Sequence, residues 1–146
     1  MIEVLITPEV PLPDLPSDLQ QMALDDTLAI EKDPAYQVEM GIFHGRVAGN
    51  SPTCSACMAG AVMRCQLGAA PDQKLAPNDY DADTEAKLSA IDYLRSGEFD
   101  EGFSRLGIAI GRVPVGLRKP TSYHACREQF IEDVEHNIAV LREAGL

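Results

Sequence analysis

The sequence predicts a mainly α fold: one compact helical domain of about five helices over residues 1–146, with room for a short N-terminal strand or hairpin. Three observations carry this reading. Apolar residues recur at spacings of three and four in several separate stretches, the period of a helix with one buried face. Helix start and stop signals (Ser, Asp, Pro, Gly) flank those stretches. The chain has 146 residues and is 45% hydrophobic with no Trp. It is therefore long enough to bury a core built from Leu, Ile, Val, Met and Ala. No internal repeat and no linker divides it.

The elements follow in order. Ile2–Ile6 reads as a short strand, and the prolines at 8, 11, 13 and 16 then hold the chain extended. Ser17 with Gln20 reads as a capping box opening a helix to about Lys32, with Leu19, Met22, Ala23 and Ile30 facing inward. Asp33-Pro34 stops it. Residues 38–48 alternate like a strand but are loosened by Gly41 and Gly45. Ser51-Pro52 is a helix start, and that helix is expected to run to Leu67 and end at Gly68. After a polar loop, Asp83 is expected to cap a helix from Thr84 to Ser96, closed by Gly97, with Leu88, Ile91 and Leu94 inward. A further helix carries Phe99, Phe103, Leu106 and Ile110. Residues 111–120 form a Gly/Pro connector. Thr121 or Ser122 then caps a final helix presenting Cys126, Phe130, Val134, Ile138 and Leu141, ending at Gly145.

Three of the four cysteines, Cys54, Cys57 and Cys65, lie within twelve positions. A helix starting at Ser51-Pro52 places Cys54 in its first turn and Cys57 one turn later, on a segment apolar almost all round. Such a helix is central and buried, and free cysteine is itself among the most buried residue types. Core thiols are therefore the plainest reading, with no cofactor and no metal required. A structural zinc site would take Cys54 and Cys57 as its first pair, with His44, Cys65, His124 or Cys126 as partners, but no second ligand pair has a finger spacing. A dithiol redox site would use Cys54 at the helix N-terminus, without the α/β surroundings such sites have. A cysteine hydrolase would take Cys57 as nucleophile and His124 as base. Here CSACMA resembles the papain-like Cys-Gly-Ser-Cys-aromatic pattern, but Ser55, Ala56 and Met58 depart from it. Asp79-x-Asp81-x-Asp83 begins like a calcium loop, yet Thr84 and Ala90 stand where Gly and Glu are needed.

Net charge is −11. Residues 72–101 carry nine acids against Lys74, Lys87 and Arg95, whereas residues 102–127 carry no acid and five bases: Arg105, Arg112, Arg118, Lys119 and Arg127. Phosphate affinity comes from Lys and Arg, so this balance argues against direct nucleic-acid binding. It suits docking on a basic partner surface. The basic stretch could hold an anionic ligand, though pairing with the chain's own acids is the simpler expectation. No run approaches the ~18 apolar residues of a membrane span. The N-terminal residues show no secretory pattern, so the expected location is the cytoplasm.

The segment VEMGIFH at 38–44, followed by CSACMAGAVM at 54–63, resembles a family of small uncharacterised bacteriophage and prophage proteins. Their pattern is Val-Asp-Met-Gly-x-Trp-His, then a Cys-x-x-Cys pair running into a small-residue helix. Glu39 stands here for the Asp and Phe43 for the Trp. The resemblance covers about thirty residues. It implies a phage context in the host cytoplasm and, by class analogy, a protein that occupies a host protein such as nucleic-acid-handling or defence machinery, the anti-CRISPR role included. The leading expectation is a non-enzymatic binding protein contacting a basic host surface through Asp79, Asp81, Asp83, Glu98, Asp100 and Glu101. The alternatives are the Cys57–His124 hydrolase and the small zinc protein.

Overall fold

Short-range signals place most of the helices, and long-range pairing places the strands between them. The computed structural model describes residues 5–46 and 53–146. Helix α1 spans Pro16–Glu31, with Leu15 as N-cap and Pro16 in its first turn, where a missing N–H costs nothing. Ser17 and Gln20 do not form the expected capping box, because Ser17 lies inside the helix. Its N–H and Oγ both donate to the carbonyl of Leu146, at 3.0 and 2.9 Å. Leu19, Ala23 and Ile30 are buried as the period predicts. Lys32 caps the helix just ahead of Asp33-Pro34.

Strands β1 (Tyr36–Val38), β2 (Gly45–Arg46) and β3 (Cys54–Ala56) form one small sheet in the order β1-β3-β2. Parallel pairing sets Tyr36 opposite Cys54 and Val38 opposite Ala56; antiparallel pairing sets Gly45 opposite Ser55. This corrects the expected helix through residues 51–67. Ser51 and Pro52 lie outside the described residues, and Cys54–Ala56 is the central strand. Its backbone is held by Cys54 N donating to Ala35 O (2.8 Å) and Glu39 N donating to Ala56 O (2.9 Å). Helix α2 begins only at Met58, runs to Cys65, and has Cys57 as its N-cap.

Helix α3 (Ala82–Ser96) starts two residues earlier than expected, with Asp81 and not Asp83 as N-cap, and ends at Gly97 in the left-handed conformation (φ +88°). Helix α4 (Phe99–Arg105) is shorter than its apolar period suggests. The chain turns at Gly107 (φ +75°), leaving Ile110 62% exposed in a single 3₁₀ turn. Helix α5 (Arg127–Glu143) begins at Cys126, not at Thr121 or Ser122. The Thr121 N–H is taken by Asp133 Oδ2 (2.9 Å), and the Ser122 carbonyl closes a turn with the N–H groups of Ala125 and Cys126. Phe130, Val134, Ile138 and Leu141 are buried along its inner face, while Cys126 is exposed.

The fold is thus mainly α with a small sheet. Every residue of α2 from Met58 to Met63 is buried, together with Cys57 before it, and α1 and α3 pack against this strut. A satellite core joins the sheet to Ile30 and Ala61, and another joins Leu94, Phe103, Leu141 and Leu146. The expected N-terminal strand is described only at its end, where Ile6 makes one parallel bridge to Tyr80; residues 1–4 lie outside the described residues. Among the described residues no helix is long and apolar enough to cross a membrane.

Candidate functional site

Strand β3 separates the two cysteines that the sequence presents as a pair. Cys54 belongs to the sheet cluster with Tyr36 and Val38, whereas Cys57 lies in the main core beside Met58 and Val62. Cys65 is exposed at the far end of α2. Helix α2 rises ~1.5 Å per residue over eight residues, so Cys57 and Cys65 are too far apart to share a metal. Among the described residues no three His, Cys, Asp or Glu side chains converge as a metal site would require. The alternative zinc set of Cys54, Cys57, His44 and Cys65 is therefore not assembled among the described residues.

Cys57 does stand at a helix tip, contrary to its expected place inside the helix. A helix N-terminus lowers a thiol pKa when solvent can reach it. Here the side chain is fully buried, and burial pushes the thiol up to about 11 despite the nearby N–H of Gly60. His124 lies on an exposed loop, with its ring edge-on to Tyr123. No hydrogen bond joins the two among the described residues, so neither nucleophile nor base is set up.

The Cys–His neighbours that the fold does bring together are Cys54 and His44, with Sγ 3.9 Å from Nδ1. His44 is buried, and its Nδ1 lies 2.6 Å from the Gln73 carbonyl. A carbonyl only accepts, so Nδ1 carries the proton and Nε2 accepts from the Tyr36 hydroxyl at 3.1 Å. Burial holds His44 below its usual pKa, which keeps this ring neutral. Cys54 donates its thiol proton to the Gly45 carbonyl at 3.0 Å. The histidine nitrogen facing the thiol is already protonated and cannot act as its base. This cluster is a satisfied polar core that pins the sheet to the 73–75 loop, where Leu75 N donates to His44 O. Its members meet only through sheet pairing, so no local sequence signal announces it.

The six acids expected at a partner surface divide into two sets. Asp79 accepts from Ala76 N at 2.7 Å, and its carbonyl receives Ile6 N. Asp81 is the N-cap of α3 and donates its N–H to Ile6 O. Asp83 pairs at 3.0 Å with Lys87, a buried cation that also binds Asp14 (2.8 Å) and the Leu12 carbonyl (2.7 Å). These three acids build the scaffold, and Lys87 ties the proline segment to α3. Glu98, Asp100 and Glu101 are different. They are exposed and line an open cleft of about 620 Å³ with Tyr93, Phe99 and Val113. Glu101 reaches Arg105 at 3.4 Å, whereas Glu98 and Asp100 have no cation within ion-pair distance among the described residues. Tyr93 also lines an adjoining cavity of about 310 Å³ with Phe43 and Glu85, and Arg105 lies over its ring at 5.1 Å. The sequence reading missed Tyr93. Its signal is an aromatic on α3 that lies outside the Leu88–Ile91–Leu94 stripe.

Protein families, curated proteins and solved structures offer no match to this chain. Its chemistry must be read from its own residues.

The basic stretch pairs largely inward, as its surroundings suggested. Arg118 meets Asp133 at 3.3 Å. Arg127 grips Glu31 with two hydrogen bonds of 2.6 Å, and Tyr123 donates to the same carboxylate, so the end of α1 is clasped to the start of α5. His136 lies 2.8 Å from the Gly116 carbonyl, to which its Nε2–H donates. Arg112 and Lys119 make no such pair among the described residues.

Proposed function

We propose that the protein is a non-enzymatic binding protein of phage type that occupies a basic surface on a host protein, inhibiting nucleic-acid-handling or defence machinery. The observation that supports this is the open cleft where Glu98 and Asp100, uncompensated by the described residues, border the aromatic rings of Tyr93 and Phe99. A Lys or Arg side chain entering it would meet the Glu98 and Asp100 carboxylates together with the apolar surfaces of Phe99 and Val113, the two features that hold a cation with an apolar stem. The net charge of −11 would steer such an encounter over a longer range. The phage context rests on the resemblance of residues 38–44 and 54–63.

The test is affinity capture from the host at low and at high salt, with the wild type and an E98K/D100K double variant. A discrete partner retained at low salt, released at high salt and lost with the double variant is the expected result. A partner held equally by both proteins at high salt would refute the acidic-face mechanism.

A further inference from the structure

The cleft lined by Glu98, Asp100 and Val113 adjoins a loop of opposite character. Among the described residues no Lys or Arg lines that cleft, and Asp100 is exposed with no cation within ion-pair distance. Arg112, the residue before Val113, is exposed and likewise makes no ion pair among the described residues. Val113 packs against the cluster of Leu94, Phe103 and Leu141, whereas Ile110 and Val115 are 62% and 98% exposed. Three residues of chain span at most ~11 Å, so Ile110, Arg112 and Val115 all stand that close to the wall of the cleft. The end of the loop is held by α5. Asn137 accepts the Arg118 N–H (2.9 Å) and donates to the Arg118 carbonyl (2.8 Å), and His136 donates to the Gly116 carbonyl (2.8 Å).

We propose that Arg112 of a second copy of this chain enters the cleft, forming a weak two-fold dimer whenever no host protein fills the site. This rests on the reading that the cleft takes a basic side chain, and names a second copy as a source of one. Two arguments select that occupant. The loop carries what the cleft lacks, a free guanidinium flanked by exposed apolar side chains. The two are also neighbours in the chain. A two-fold axis sets residue i against j and j against i, so an axis between them sets each Arg112 against the other copy's Asp100 and Glu98. An exposed ion pair contributes little alone; Ile110 and Val115, beside the same axis, supply the apolar burial. The charge of −11 on each copy opposes their approach. The dissociation constant is therefore expected on the order of 100 µM.

The test is sedimentation equilibrium of the full chain from about 10 µM to about 1 mM, in about 0.15 M salt, where distant charges are screened beyond ~8 Å. A reversible monomer–dimer equilibrium is expected for the wild type, weakened at least about tenfold in Arg112→Glu and in Asp100→Arg. An equimolar mixture of the two variants should dimerise as the wild type does. Its heterodimer keeps one native pair and gains one reversed pair, and its formation shows that both variants are folded. A wild type that stays monomeric throughout, an Arg112→Glu variant that dimerises undiminished, or a mixture no more associated than its components would each overturn the proposal. Arg112→Glu keeps the carboxylates of the cleft, so host capture by this variant tests the host-binding reading separately.

Discussion

The two ends of helix α2 carry the same functional group under opposite conditions. At the N-terminal end Cys57 is fully buried, and its N–H donates to the Ile42 carbonyl at 2.7 Å. Phe43 covers the same turn so closely that a Cβ on Gly60 would come within 1.4 Å of the Phe43 carbonyl oxygen. At the C-terminal end Cys65 and Gln66 are exposed. Gln66 Nε2 donates to both oxygens of Asp26 at 3.3 Å, and the Cys65 thiol faces the Asp26 carbonyl at 4.0 Å. Both thiols are pushed up to about 11: Cys57 by complete burial, and Cys65, exposed as a residue, by the partial desolvation of its sulfur, with Asp26 adding to the shift. The comparison teaches that helix position does not decide thiol chemistry here. The N-terminal dipole would favour a thiolate at Cys57, but removal from water outweighs it.

The largest effect should come from breaking the sealed end. Intrinsic propensity alone would make Gly60→Ala stabilising by about 1 kcal/mol. The contact with Phe43 reverses the sign, and a loss of about 3 kcal/mol or more in urea unfolding is expected. A neutral or stabilising result would mean that the 42–44 segment does not rest on α2. Next, Cys57→Ala should cost about 2 kcal/mol, because the core loses the packing of the sulfur and the first turn of α2 loses the group that faces the Gly60 N–H. The same exchange at exposed Cys65 should stay within ~0.5 kcal/mol. Equal costs at the two sites would erase the distinction between the ends.

The open end should show itself through pH. Burial raises the Asp26 carboxyl from 3.8 to about 6, with neighbouring Asp25 adding to the rise. A folded pKa above the unfolded value means that this group's stabilisation is complete below about 3.8 and is lost as pH rises through about 6. Asp26→Asn should therefore raise stability near pH 7.5 by about 1–2 kcal/mol, with solvent screening allowed for, and make no difference near pH 3.5. Thermal unfolding of the two proteins across that range checks it; a constant offset would assign the effect to something other than titration. The smallest effect concerns reactivity. Iodoacetamide at pH 7.5 should leave Cys57 unmodified until the chain unfolds and modify Cys65 only slowly, since few molecules carry a thiolate there. Rapid labelling of Cys57 in the folded protein would revive the nucleophile reading.

Much of the helical framework was legible in local sequence. The Leu88–Ile91–Leu94 and Phe130–Val134–Ile138 stripes face the core as their spacing predicts, and Gly97 and Gly145 end their helices with positive φ. Caps were less legible: Ser17, Asp83 and Ser122 each have the right chemistry for an N-cap, but each is drawn into another contact by a neighbour distant in the chain or on the next turn. Of the proposed partner acids, sequence could name Glu98, Asp100 and Glu101 but could not separate them from Asp79, Asp81 and Asp83. Both sets are acidic, and only packing shows which carboxylates the scaffold uses.

By itself the sequence determined a mainly helical chain with an aliphatic core, a buried small-residue strut within residues 51–67 and an acidic net charge, because periodicity, capping chemistry and charge act over a few residues. The tertiary structure decided that residues 54–56 form a strand. Cys54, Ser55 and Ala56 are all buried in the strand, and a short run of small residues buried on both sides has no period that tells a strand from a helix. What selects the strand is hydrogen bonding to residues 35–39 and 45–46, partners that the local sequence does not contain. That pairing moved Cys57 to the tip of its helix, placed Cys54 beside an already protonated His44 nitrogen, and removed both thiols from the surface.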